Sequence, residues 1–341
     1  MQPDATDSSR ALPFGAVMAT AGAAALAEPC GLGWLTAPLL ALAIAQAAWI
    51  AATTVLPHRN KWRALPTWLL TVRRPREHSG AHTVPLGLAI ISSTLAGLGF
   101  AGGRLVATPW PSGAFLLLAW LAGGVCIVRF GLALIQHPWH VTDVDGAWFL
   151  VPAMPLGLAI ATADVAAHAT GMPHTALVWL ALVAGVAGWV SYWLVAAAAG
   201  RRVYVHGLGL PPHAPWWIAM GCAGLAAAAL GKVLDTIAWP STLQTPATFG
   251  ILIAAFGALA LMLPVIALSL RFLLRDCRCR NAAAWPPTFS TAVFALGCLA
   301  ASATRHAAWW HVLGLVGGYA TLALWAATLG WNISRRLRSL A

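Results

Sequence analysis

The chain has 341 residues, of which 60% are hydrophobic and 9% charged; twenty Lys and Arg stand against nine Asp and Glu, a formal charge of +11. Soluble domains carry about a quarter charged residues, so a water-soluble globular enzyme is excluded. Disorder is excluded for the opposite reason, because there is too much apolar surface to bury.

A membrane-spanning helix needs about 20 mostly apolar residues. In chain order such runs are Leu12–Glu28, Gly33–Leu56, Thr83–Gly103, Gly113–Gln136, Gly146–Ala167, Thr175–Ala199, Pro215–Gly231, Ala247–Leu270, Thr288–Thr304 and Trp309–Trp331. The runs are continuous and do not alternate, so helices are the only spanning option. Met1–Ala11 holds Asp4, Asp7 and Arg10. It lacks the basic start of a cleaved signal peptide, so the first run reads as a retained helix. The expected organisation is a cytoplasmic segment over 1–11, a ten-helix membrane domain over 12–331 and a basic cytoplasmic tail over 332–341.

Ten spans put both termini on one side. If that side is the cytoplasm, inner segments hold sixteen cations: Arg10, Arg59, Lys61, Arg63, Arg73, Arg74, Arg76, Arg201, Arg202, Arg271, Arg275, Arg278, Arg280, Arg335, Arg336 and Arg338. Outer segments hold three, Arg104, Lys232 and Arg305, and Arg129 lies within a span. This asymmetry follows the positive-inside rule and sets the expected orientation in a bacterial inner membrane, both termini cytoplasmic. The basic loops are then inner-leaflet anchors rather than a nucleic-acid surface. Trp34, Trp110, Trp139, Trp148, Trp216, Trp239, Trp285, Trp309 and Trp331 fall near span ends, where interfacial anchoring is expected. The six Cys do not form a disulfide framework; Cys277 and Cys279 lie in a basic inner loop, a reducing place.

The hexapeptide Pro-Leu-Gly-Leu-Ala-Ile occurs at Pro85–Ile90 and again at Pro155–Ile160. Looser versions start at Pro13, Pro215 and Pro287, so the prolines are spaced by 72, 70, 60 and 72 residues, two spans per step. The chain therefore reads as five helical hairpins in series. Odd spans are rich in Gly, Ala and Ser; even spans carry more Leu, Trp and Phe. Bulky apolar residues suit lipid and small ones suit close packing or free space beside a helix. The expected fold is an all-α membrane protein with five odd helices as an inner ring and five even helices outside. From composition, a pore and a tightly packed bundle both remain open.

The first span, Pro13-Phe14-Gly15-Ala16-Val17-Met18-Ala19-Thr20, resembles the opening helix of the tellurite-resistance/dicarboxylate transporter family, which includes bacterial TehA and the plant guard-cell slow anion channels. Ala19 stands where that family commonly has Gly. Asp145 to Pro152 is similar to the start of the family's fifth helix, and Trp285 to Gly297 to the start of its ninth. The resemblance covers essentially the whole chain. It implies a pore lined by the odd helices, trimeric assembly, and passive or proton-linked passage of small anions such as C4-dicarboxylates, sulfite- or tellurite-type oxyanions, halides or nitrate. It implies no cofactor. It also implies a pore-plugging Phe, matched here by Phe289, with Ser290 where a Pro is usual, and Leu156 facing the gate from the fifth helix. Pro13, Gly15, Met18, Pro85, Gly87, Pro155, Gly157, Pro215 and Pro287 are the expected pore-lining positions. An ordinary packed aromatic is the other reading of Phe289.

Arg129 and Asp164 lie within spans, where charge points to function. They fall near opposite leaflets, so they are not expected to pair. Arg129 is expected to snorkel from an outer helix, and Asp164 to shape the outer mouth. His137 and His140, followed by Asp143 and Asp145, could hold a metal, although Pro138 opposes one helix face for both histidines. Three readings follow: a small-anion channel or transporter, a membrane enzyme or metal-binding protein built on those four residues, and a non-transporting membrane protein.

Overall fold

A computed structural model describes residues 12–54, 83–103, 110–136, 144–207, 216–236, 241–275, 285–305 and 307–340. Among the described residues there are ten α-helices: α1 Leu12–Ala27, α2 Thr36–Thr54, α3 Thr83–Gly103, α4 Trp110–Gln136, α5 Leu150–Ala167, α6 Gly171–His206, α7 Trp217–Thr236, α8 Ser241–Arg275, α9 Trp285–Arg305 and α10 Ala308–Leu340. Short 3-10 turns, Gly33–Leu35 and Gly146–Phe149, lead into α2 and α5. Eight of the helices are long and apolar enough to cross a membrane; the described apolar parts of α1 and α3 are shorter.

The odd helices form a closed ring. α1 packs on α3, α3 on α5, α5 on α7, α7 on α9, and α9 returns to α1. Each even helix packs chiefly on the odd helix before it, so the five expected hairpins are present. Burial separates the two layers. In their most apolar stretches 78% of residues are buried in α5 and α7, against 28% in α2, α4, α8 and α10. The even helices expose Leu117, Leu121, Val183, Leu194, Ile253 and Leu263. A face of that kind is untenable in water and suits hydrocarbon.

Small residues let the ring close. A methyl group on Gly224 of α7 would lie 2.6 Å from Phe294 Cα, and one on Gly297 of α9 would lie 2.5 Å from the Gly224 carbonyl oxygen. Backbone thus meets backbone along the α7–α9 seam, where only glycine fits. Polar bonds tie the layers together. Ser92 Oγ donates to the Ala119 carbonyl (2.8 Å), and Trp120 Nε1 donates to Thr162 Oγ1 (3.1 Å). Trp325 Nε1 of α10 donates to Thr20 Oγ1 of α1 at 3.0 Å. Away from water such bonds are valuable because the alternative is an unsatisfied polar group.

Three expectations are corrected. Span seven, expected to stop at Gly231, continues to Thr236, which moves Lys232 and Asp235 from a loop into a helix. Arg129 does not snorkel; it is 5% exposed. It shares a helical stripe with Ala119, Gly123 and Cys126, the face of α4 turned inward. Trp148 is buried edge-on against Phe130 rather than interfacial. Residues 332–340, the expected basic tail, continue α10 as helix to Leu340. The even helices α6, α8 and α10 all overshoot a bilayer core: 36 residues in α6 span about 54 Å, against about 30 Å of hydrocarbon. Their cations sit in the C-terminal overshoot, where positive charge also complements the helix dipole. Gly207 closes α6 at a φ of 73°, its N–H bonded to the Val203 carbonyl, a conformation glycine adopts without strain.

Candidate functional site: a cavity inside the ring

A cavity of about 260 Å³ lies inside the ring. Among the described residues, its lining comes from all five odd helices and from Pro29 after α1, with none from an even helix. Helix register places its floor. Gly15 lies beside Trp285 and Gly22 beside Ala292, so α1 and α9 run parallel in a fixed register. Gly97 lies beside Ala21, and Gly157 beside Ser93 and Ala96. These neighbours put Met18, Ser93, Gly157 and Phe289 in one layer. They are also the first lining residues along α1, α3, α5 and α9. The cavity therefore starts at the Phe289 layer and extends toward the C-terminal ends of the odd helices.

Met18, Gly157 and Phe289, expected in the pore, line the cavity. Gly15 instead faces α9, where a methyl group on it would lie 3.5 Å from Trp285 Cβ. Leu156 is fully buried and not among the lining residues. It turns toward α6, where Gly188 leaves room for it; a methyl on Gly188 would lie 2.6 Å from Leu156 Cγ. The reason is angular: Leu156 is one residue, about 100° of helix, from Gly157. Pro13, Pro85 and Gly87 fall at the starts of α1 and α3, and Pro287 in the first turn of α9. Pro155 alone of the described repeat prolines lies inside its helix, where it removes the N–H that would bond the Val151 carbonyl. α8 carries Pro246 and Pro264 internally, so interior proline does not mark the inner ring. Pro215 lies outside the described residues.

The charged side chains of the cavity were not foreseen. Lys232 and Asp235 line it. Lys232 Nζ lies 2.8 Å from Asp164 Oδ1 and 5.9 Å from the centre of the Phe100 ring. Phe100 is seven residues beyond Ser93, so the ammonium hangs about 10 Å above the Phe289 layer. Asp164 is 6% exposed; it anchors Lys232 in the wall instead of standing free at a mouth. The signal in the sequence was a lysine and an aspartate three residues apart at the end of an odd span. Ending that span at Gly231 hid it. Ser93 also lines the cavity; it is 7% exposed, and its hydroxyl is buried with no hydrogen-bond partner among the described residues.

Of the four candidate metal residues, His137, His140 and Asp143 lie outside the described residues. Asp145 caps the 3-10 turn before α5, its Oδ1 accepting from the Ala147 N–H at 2.9 Å. Burial pushes its carboxyl above the ordinary range, opposed by that bond and by the charge of Arg202. Among the described residues no three His, Cys, Asp or Glu side chains converge as a metal site.

A comparison with curated proteins finds no match. The profile of the voltage-dependent anion channel family matches residues 12–333, and with its lipid-facing outer helices and cavity-lining inner ring the chain belongs to that family.

Proposed function

We propose that the protein passes small anions across a bacterial inner membrane through the inner ring, with Phe289 as the gate and both termini cytoplasmic. One observation carries this reading: all five odd helices line a cavity whose first layer holds Phe289. The odd helices run parallel, so their N-terminal ends, each worth about half a positive charge, gather on the Phe289 side and favour an anion there. Few fixed charges mean weak binding, which suits throughput. The assembly is a homotrimer in the bilayer, its even helices outermost.

The test is flux from proteoliposomes of purified protein, using chloride, nitrate, sulfite and a C4-dicarboxylate, with and without a proton gradient. Anion-selective flux is expected; a protein that moves none of them under either condition is not a transporter of this class. Flux insensitive to the gradient identifies a channel, and flux driven by it a carrier.

Orientation has a separate readout. Cys30, Cys126, Cys222 and Cys298 are buried, so a membrane-impermeant thiol reagent reads chiefly Cys277 and Cys279. Labelling is expected in inside-out vesicles and not in intact cells. The opposite pattern would invert the topology.

A further inference from the structure

α1 forms one wall of the layer that holds Phe289, yet its side chains offer little grip on its neighbours. From Gly15 to Ala25 it reads Gly-Ala-Val-Met-Ala-Thr-Ala-Gly-Ala-Ala-Ala, so only Val17, Met18 and Thr20 carry more than a methyl group. A helix without bulky ridges locks into few grooves, and turning it about its axis disturbs little packing. Hydrogen bonds can supply the missing angular restraint. Thr20 is fully buried. It stands two residues, about 200° of helix, from Met18, so it sits on the back of α1 when Met18 lines the cavity. Its Oγ1 shares its proton between the Ala16 carbonyl (2.8 Å) and Gln46 Oε1 of α2 (3.1 Å), and accepts from Trp325 Nε1 of α10 at 3.0 Å. Gln46 is the only amide side chain of α2, an otherwise lipid-facing helix, and an amide in hydrocarbon needs a partner. α10 holds α1 at a second height, where Tyr319 Oη donates to the Cys30 carbonyl at 2.9 Å.

The same arrangement recurs on α5 with a different consequence. Trp120 Nε1 of α4 donates to the buried Thr162, whose hydroxyl donates to the Leu158 carbonyl four residues back at 2.6 Å. α5 does not depend on this bond for its angle, because Leu156 is seated against Gly188 of α6. Its contribution to the Phe289 layer is Gly157, which has no side chain to turn.

We propose that Thr20, clasped by Trp325 and Gln46, is the positioning residue that holds Met18 in the layer with Phe289. Two outer helices, α2 and α10, thereby set the closed gate. The inference rests on the anion-passage reading and adds what holds the constriction in place. Loss of a bond of this kind shifts an equilibrium about fivefold. That is enough for α1 to turn Met18 out of the layer in a fraction of the molecules.

The test uses the full-length protein in detergent with Cys277→Ser and Cys279→Ser, which leaves the four buried cysteines. A small methanethiosulfonate reagent then reads the angle of α1 without any flux. Met18→Cys is expected to react, and Val17→Cys and Ala19→Cys, each turned about 100° to one side, are expected not to. Adding Thr20→Val keeps the shape and removes the hydroxyl. It should slow the Met18→Cys reaction at least about threefold and speed the reaction at one of the two neighbours. Thr20→Ser should restore the original pattern. In proteoliposomes Thr20→Val should raise anion flux at least about threefold, a gain that vanishes in a Phe289→Ala background because the two act on one constriction. Trp325→Phe should act as Thr20→Val does. Trp120→Phe loses the same kind of bond and should lower Tm by a similar amount while leaving flux unchanged. An unchanged Met18→Cys rate in the folded Thr20→Val protein, or equal flux gains from Trp120→Phe and Trp325→Phe, would overturn the proposal. A slowed Met18→Cys reaction with no flux from any variant keeps the clasp and refutes transport. Flux with an unchanged reaction rate refutes the clasp and keeps transport.

Discussion

Phe289→Ala raises anion flux through the reconstituted protein by roughly thirtyfold, the effect of taking about 2 kcal/mol off a barrier. Phe289 sits in the layer where the cavity begins, with Met18, Ser93 and Gly157 as its neighbours around the ring. Gly157 contributes no side chain there, and Ser93 contributes a small polar one, so the Phe289 ring is the largest group in the layer. An apolar ring in a narrow, otherwise small-residue passage strips an anion of water without offering a donor in return, which is how a hydrophobic constriction gates. Truncation to Ala removes the ring and leaves the Ser93 hydroxyl in place. Phe289→Leu is expected to fall between the two. Phe289 is only half buried and already faces free space, so the cost in stability should be below the roughly 3 to 5 kcal/mol typical of a core Phe. The measurement is initial anion efflux per folded protein. If the Ala variant folds and its flux equals that of the wild type, Phe289 is a packed aromatic, and the barrier lies elsewhere along the ring.

Gly297→Ala and Gly224→Ala are expected to be the most damaging single methyl additions described here. Each puts a carbon within 2.5 to 2.6 Å of backbone across the α7–α9 seam. A side chain in the way can rotate, but a helix backbone in the way must move as a body. Overpacking of this kind costs about 3 kcal/mol or more, and a fall in Tm of roughly 5 °C or more follows. Gly257→Ala is the control, since nothing lies within 4 Å of a methyl there; its Tm should be unchanged or slightly raised, because Ala favours a helix over Gly. The two seam variants should also change flux in whatever protein remains folded. Phe289 and Phe294 lie on the same helix, and moving α9 away from α7 moves the ring of Phe289 relative to Met18. Equal Tm values for Gly297→Ala and Gly257→Ala would mean that the seam is looser than the backbone contacts imply.

The two predictions separate parts of the protein that were unequally legible in its sequence. Span positions and the hairpin repeat could be read directly, because hydrocarbon imposes a local condition: each segment must be apolar over its own length and satisfy its own backbone. Gly146–Ala167 and Thr83–Gly103 were expected with the bounds that are observed. The inner and outer layers were legible for a related reason, since the contrast between small and bulky residues reports what each helix touches.

The cavity obeys a different condition. Which face of an odd helix turns inward depends on register between helices far apart in the chain, set by contacts such as Gly97 with Ala21, 76 residues apart, and Gly22 with Ala292, 270 residues apart. A rotation of about 100° separates Gly157, which lines the cavity, from Leu156, which packs against Gly188. Hydropathy does not encode that angle, because both faces of a buried helix are apolar. The same limit applies to charge. Lys232 counted in the sequence as one of three outer cations, a number with topological meaning only. Its meeting with Asp164, 68 residues earlier in the chain, exists only once α5 and α7 lie side by side. Residue order is enough to establish that the chain crosses a membrane as five hairpins with small-residue helices inside, because solvent transfer acts residue by residue. Where the free space lies and which charges face it follow from how ten helices are rotated and shifted against one another.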